Sequence, residues 1–204
     1  QILCDVAKRM GYGGMNYTHP SEIMDEIASL TPIYAGINYN RLDPYGIQWP
    51  CLTKDHPGTP VLHKEKFTRG KGAFMPRPYL PPAEPVDAEY NFVLSTGRVY
   101  WHWHTRTMTN RTSTLERESP EPYVEINLVD ANELGVRDSQ LVKVSSRRGS
   151  ITLKAKVGHK VVKGSVFIPF HFREAAANLL TISAVDPIAK IPEYKVCAVK
   201  VEKI

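Results

Sequence analysis

Apolar residues recur with two different periods along this 204-residue chain. Near its start, Ile2, Leu3, Val6, Ala7 and Met10 keep helical spacing, and Gly11 offers a stop. A second helix is expected near residues 21–30. Ser21 would be its N-cap, Glu22, Asp25 and Glu26 lie near its positive end, and Ile23, Ile27 and Leu30 make its buried stripe before Thr31-Pro32 ends it. After residue 88 the period becomes two. Phe92-Val93-Leu94 reads as an apolar strand, and Val124, Ile126 and Leu128 alternate with polar neighbours. A short helix over 130–134 closes at Gly135. Residues 140–146 and 151–157 flank Arg147-Arg148-Gly149-Ser150 as a hairpin, and 166–170 and 196–201 supply two more strands. Several short strands with one small helix predict a closed or nearly closed β-barrel, with no evident sequence repeat.

Between the two patterns, from Pro44 to Pro85, stand nine of the 16 prolines, with glycines at 46, 58, 70 and 72. Such a stretch cannot hold long helices or central strands, and a connection of this length is either a functional loop or an interdomain crossing. Within it, Gly46-Ile47-Gln48-Trp49-Pro50 mixes an aromatic with an amide. That suits either a contact site or a buried loop anchor.

Composition narrows the class. Hydrophobic residues at 42% and charged ones at 23% describe an ordinary soluble globular protein. No apolar run approaches a membrane span and no signal peptide opens the chain, which begins with a helix in progress and reads as the C-terminal piece of something longer. The net charge of +5 is uneven: residues 1–89 hold 9 basic and 10 acidic side chains, residues 90–204 hold 17 and 11. An anionic partner is therefore expected at the second part. Nucleic acid is disfavoured, because the basic residues are scattered and no nucleic-acid-binding motif occurs. Cys4, Cys51 and Cys197 are far apart, with no C-x-x-C, so they read as packed thiols of a reducing compartment.

The chemistry concentrates in residues 90–112. The strand runs into Ser95-Thr96-Gly97-Arg98, a glycine turn with free N–H groups, and Arg98, Arg106 and Arg111 stand near it. This suits a diphosphate, or else is a polar hairpin with solvated arginines. In Trp101-His102-Trp103-His104, a strand would send indoles one way and imidazoles the other, and Thr105, Thr107 and Thr109 add hydroxyls at every second position. An H-x-H pair without a third ligand makes a poor metal site. A second constellation comprises Asn178, able to read an amide or guanidine edge, and Tyr194 and Lys195, able to stack on and donate to an anionic ring. No catalytic triad, paired carboxylates or G-x-x-x-x-G-K loop appears.

The ordered set L-S-T-G-R, H-W-H-T-x-T-M-T-x-R, A-N-x-L-T, D-P-I and P-E-Y-K-x-C-A-V-K-V resembles the end of the catalytic subunit of molybdenum- or tungsten-dependent formate dehydrogenases, of the dimethyl-sulfoxide-reductase superfamily. Upstream, R-M-G-Y, E-I-M-D-E-I-A, R-L-D-P-Y-G-I-Q-W-P and H-P-G-T-P are similar to the same family, so the resemblance covers nearly the whole chain. It implies that residues 88–204 are a molybdopterin-dinucleotide-binding double-psi β-barrel, similar to aspartate decarboxylase. Residues 1–43 would be the helical end of a preceding α/β domain and 44–87 a Pro/Gly-rich crossing, with Gln48 and Trp49 near the cofactor cleft. Thr96, Gly97 and Arg98 would meet the dinucleotide. His104, Thr105, Met108 and Thr109 would line its pterin or phosphate path, and Asn178, Tyr194 and Lys195 would close it from the other side. Arg106 stands where many relatives carry a small residue, often glycine.

The family's metal ligand, catalytic histidine and arginine, and iron–sulfur cysteines lie upstream of such a segment. The resemblance thus implies a cofactor-holding part of a cytoplasmic enzyme that carries molybdopterin guanine dinucleotide with Mo or W. An iron–sulfur cluster is expected in the upstream part. The remainder of the catalytic subunit and electron-transfer subunits would be its partners, and formate and carbon dioxide its substrates. A nitrate reductase of the same superfamily and a stand-alone anion-binding barrel are the alternatives.

Overall fold

A computed structural model describes residues 1–43 and 45–204, and Pro44, the first residue of the expected crossing, lies outside the described residues. The described chain forms two compact units, Gln1–Arg77 and Pro78–Ile204. Among the described residues no helix is long and apolar enough to cross a membrane.

The first unit holds helices α1 (Ile2–Arg9), α2 (Pro20–Leu30) and α3 (Tyr39–Leu42), with a 3-10 turn at Pro32–Tyr34. The N-cap of α2 is His19 rather than Ser21. Pro20 has no N–H to satisfy and a φ already set for a first helical position, so the helix starts earlier. The His19 ring accepts the Ser21 N–H at 3.2 Å, while the Glu22 carboxylate takes the Thr18 N–H at 2.7 Å. The expected buried stripe of α2 is exposed, with Leu30 at 74%. Among the described residues the buried hydrophobic side chains of this unit are Cys4, Ile37 and Cys51, and none belongs to α2.

The second unit is a barrel. Strands β1 (Phe92–Gly97), β2 (Tyr123–Asn127), β3 (Leu141–Ser145), β4 (Ser150–Gly158), β5 (Ser165–Pro169) and β6 (Val196–Lys203) close in the order β1-β5-β2-β4-β3-β6. Alternate residues point inward and bury Leu94, Val124, Ile126, Val144, Ile168 and Val199, each fully enclosed. Helix α4 (Ser113–Glu118) lies between β1 and β2, and α5 (Leu128–Leu134) between β2 and β3. Leu128, expected on a strand, instead opens α5. Asn127 accepts the Val129 N–H at 2.9 Å as N-cap, and Gly135 closes the helix at φ 65°.

The ladders carry an internal two-fold that the sequence hid. Mapping β1, β2 and β3 onto β4, β5 and β6 turns each pairing into another: the parallel pair β1–β5 becomes β4–β2, and the antiparallel pair β3–β4 becomes β6–β1. In this register Val124 and Ile126 fall on Val166 and Ile168, Val142 and Val144 on Val199 and Val201, and Gly97 on Gly158. The sequence offsets differ from strand to strand because the connections differ in length, so no fixed period shows. This is the double-psi β-barrel expected from the resemblance.

Strands β1, β3 and β5 run one way and β2, β4 and β6 the other. Every connection therefore lies at one of two rims. One rim, called upper, carries residues 98–122, 146–149 and 170–195; the lower carries 128–140 and 159–164.

Candidate functional site at the upper rim

All ten residues expected to hold a cofactor lie at the upper rim. Thr96 and Gly97 end β1, Arg98 to Thr109 belong to the first long connection, and Asn178, Tyr194 and Lys195 to the last. Two sequence stretches about a hundred residues apart meet here because β1 pairs with β5 on one side and β6 on the other. The closest tie is Thr96, whose hydroxyl donates to the Tyr194 carbonyl at 2.9 Å and whose N–H reaches the Lys195 carbonyl at 3.4 Å. Thr96 is buried at 3% exposure, so its side chain joins the walls rather than facing outward.

Gly97 is needed for packing. A Cβ there would come within 2.7 Å of the Phe167 ring on β5, so any larger residue would have to push that ring aside for the turn to leave the barrel. Beyond it Arg98 is exposed. Its guanidinium lies 3.3 and 3.4 Å from the two His104 ring nitrogens and 5.8 Å from the Trp103 ring centroid. His104 has φ 46° and is exposed, as are Thr105, Met108, Asn178, Tyr194 and Lys195. Thr109 is half-buried, and its hydroxyl bonds to His102 Nδ1 at 3.0 Å. Among the described residues Arg98, Arg111 and Lys195 have no acidic partner, which leaves cationic groups beside exposed hydroxyl, amide and phenol donors. That donor set fits an anionic ligand with a heteroaromatic end.

Two other cations at this rim are already neutralised. Arg147 and Arg148 bind Glu84, with Arg148 Nη1 2.7 Å from its carboxylate, and Arg147 also pairs with Asp87. Glu84 accepts the Ala198 N–H at 3.0 Å as well. The β3–β6 ladder ends at Ser145 and Lys200, so this N–H has no strand partner, and the carboxylate takes that place. The Arg148 guanidinium and these bonds hold the Glu84 carboxyl down at about 2. Arg148 Nε also donates to the Leu180 carbonyl at 2.9 Å, seating the last connection on the β3–β4 turn.

Arg106 is likewise committed. It makes a two-point ion pair with Glu116, lies 3.5 Å from Glu174 and stands 4.8 Å from the Phe172 ring centroid. It is therefore removed from the anion-binding set in which the sequence had placed it. Its φ of 66° lies in the left-handed region, which costs a side-chain-bearing residue about 1 kcal/mol.

The Trp101–His104 segment forms turns rather than the strand that its alternation suggested. His102 is buried, with Nε2 donating to the Ser119 carbonyl at 2.8 Å; His171 is buried too, 5.0 Å from His102 ring to ring. Neither histidine was singled out in the sequence as a buried group. The available signal was W-H-W and F-H-F, an imidazole flanked by aromatics in both connections. Cys197 is also a core residue, with burial pushing its thiol up to about 11. All three cysteines are free and buried.

A sizeable cavity lies elsewhere. About 850 Å³ opens on the outer wall of β1, β5, β2 and β4, beside Ser95, Tyr123, Glu125, Lys156 and Phe167, and Arg98 is the one expected site residue that lines it. Its charges are largely paired, Lys156 with Glu125 at 3.5 Å and Lys154 with Glu121 at 2.7 Å. It offers no excess of one sign to an anion, and the exposed donors of the rim remain the better candidate site.

Comparison with known proteins places this closed double-psi barrel. Residues 92–198 match the molydopterin dinucleotide binding domain, and the chain belongs to that family. It is 49% identical over 206 residues to the "F420-dependent formate dehydrogenase subunit alpha" of Methanocaldococcus jannaschii, covering 100% of this chain and 31% of that protein. It is 40% identical over 227 residues to a nitrate reductase of Symbiobacterium thermophilum, with 99% and 30% covered. Acetylene hydratase from Pelobacter acetylenicus superposes with a TM-score of 0.65 at 17% identity, over 99% of this chain and 32% of that one, and shows the shared fold. The chain thus spans about a third of the length of the curated relatives it matches.

Proposed function

We propose that the upper rim holds molybdopterin guanine dinucleotide and that the chain is the C-terminal part of a formate dehydrogenase alpha subunit. The observation that carries this reading is the meeting, at one rim of a molydopterin dinucleotide binding domain, of the T-G-R turn with Tyr194-Lys195, on the same connection as Asn178. The donor set fits the group. Arg98 and Lys195 would meet the diphosphate, His104 and Thr105 the path from it to the pterin, and Asn178 and Tyr194 the guanine or pterin edge. Thr96 would act through its backbone, Thr109 through the loop that it braces, and Met108 by apolar contact. When bound, the cofactor supplies a molybdenum or tungsten centre for two-electron interconversion of formate and carbon dioxide. The protein's share is to bind, orient and shield it from water.

The metal ligand and an iron–sulfur cluster belong, in this reading, to the upstream part of the subunit. Residues 1–43 are the end of its preceding domain, 44–87 the crossing, and 88–204 the dinucleotide-binding domain. The similarity to an F420-dependent alpha subunit supports a deazaflavin acceptor reached through further subunits. Three unpaired thiols support a cytoplasmic setting. The 40% identity to a nitrate reductase favours a second reading, reduction of nitrate on the same cofactor. Formate-dependent and nitrate-dependent dye assays on the purified complete enzyme separate the two. Absence of guanine dinucleotide, or of both metals, from that enzyme overturns the cofactor assignment.

A further inference from the structure

The buried cluster between the two long upper connections is not explained by ligand binding. His102, Arg106 and Glu116 come from the first connection; His171, Phe172 and Glu174 come from the last. His171 is 5% exposed and neither of its ring nitrogens has a protein partner. It packs 4.3 Å from the Phe172 ring and 5.0 Å from that of His102. Arg106 spans the same gap, with Glu116 on its own connection and Glu174 and Phe172 on the other. An imidazole without partners is tolerated in such a place only while neutral.

We propose that these six residues form a latch that holds the two long upper connections in one arrangement. His171 and Arg106 are thereby positioning residues for the anionic cofactor. The proposal rests on the cofactor reading for its purpose, but the latch itself is a property of the bare chain. Arg98 sits between the Gly97 turn and His102, and His104 between His102 and Arg106, so the latch fixes the segment that carries them. The groups facing His171 are His102, Arg106 and Glu116 from the first connection and Glu174 from its own. Burial, then His102 and Arg106, depress its pKa to about 4, whereas the two glutamates oppose the shift. The open latch therefore binds a proton that the closed latch refuses, and acid opens it.

The test is amide hydrogen exchange in the complete enzyme, comparing residues 101–112 and 171–181 with β3 as an internal reference. Guanine dinucleotide per subunit is measured in parallel. In the unaltered protein the two segments open together, roughly 30-fold more at about pH 5 than at about pH 7.5, the ratio set by pKa values of about 4 closed and 6.5 open. His171→Phe keeps an aromatic ring and loses no hydrogen bond, so the rise flattens to less than about threefold. Should that variant fail to fold, Glu116→Gln serves. It frees both segments at neutral pH, and dinucleotide retention falls with it. Independent opening of the two segments, or a pH response unchanged in His171→Phe, overturns the latch. A working latch in an enzyme whose dinucleotide content follows neither pH nor Glu116→Gln overturns the positioning role. A working latch in an enzyme without guanine dinucleotide at any pH instead overturns the cofactor reading.

Discussion

The two rims of the barrel start from equivalent strands and end in different chemistry. Gly97 and Gly158 occupy matching ends of β1 and β4, yet an added Cβ would meet the Phe167 ring at Gly97 and nothing within 4 Å at Gly158. After Gly158 the chain returns to the barrel within residues 159–164; after Gly97 it wanders through residues 98–122. The lower rim is drawn shut by direct bonds: Asn127 Nδ2 donates to the Val161 carbonyl at 2.8 Å, and the Gly164 N–H donates to buried Asp130 at 2.8 Å. The upper rim is knitted instead by arginine–glutamate pairs, which leave several donors and cations unspent at its surface. A symmetric core thus supports an asymmetric molecule, with the difference confined to loop length and loop charge.

Four measurements break or sharpen that contrast. The largest effect belongs to the shared core. Leu94→Ala removes a fully enclosed side chain and is expected to cost about 2–5 kcal/mol in denaturant unfolding, whichever rim is intact. Next comes acid. The Glu84 carboxyl is depressed from 4.5 to about 2, so its stabilisation is complete above the unfolded value and is lost as pH falls through the folded one. Unfolding free energy measured from about pH 5 to about pH 2 should drop by up to about 3 kcal/mol from this group and by much less in Glu84→Gln. Third, Arg98→Ala should leave unfolding unchanged while weakening dinucleotide retention by about 10- to 100-fold, the worth of a charge-assisted hydrogen bond. Smallest is the lower rim. Asn127→Ala removes a helix cap and should cost about 1 kcal/mol with no change in retention. An Arg98→Ala protein that retains dinucleotide normally while Asn127→Ala loses it would reverse the assignment of the rims.

Much of the barrel was legible in the chain. Every strand after residue 88 announced itself by alternation, and the Arg147–Ser150 turn and the Gly135 helix stop fell where their local chemistry put them. Closure was expected from the many short strands, but the strand order and the internal two-fold were not legible, since they depend on pairings between distant strands. The site was half legible. T-G-R and Tyr194-Lys195 could be named one by one, but their adjacency follows from β1 lying between β5 and β6. Arg106 looked like an anion ligand because its sequence neighbours did; Glu116 and Glu174, ten and 68 positions on in the chain, decided otherwise. The apolar stripe of α2 marks a limit of a different kind, because amphipathic spacing tells which face seeks cover but not what supplies it.

The Glu84 carboxylate has a consequence beyond stability. It clasps a buried stretch of β6 just past the point where the β3 ladder ends, tying residues ahead of the barrel to its wall. A protonated or amidated side chain there no longer binds the neighbouring arginines as firmly, and the Ala198 N–H comes free. Mild acid should therefore loosen the segment around Glu84 from β6 before the barrel itself melts, with one carboxylate acting as the clasp between them.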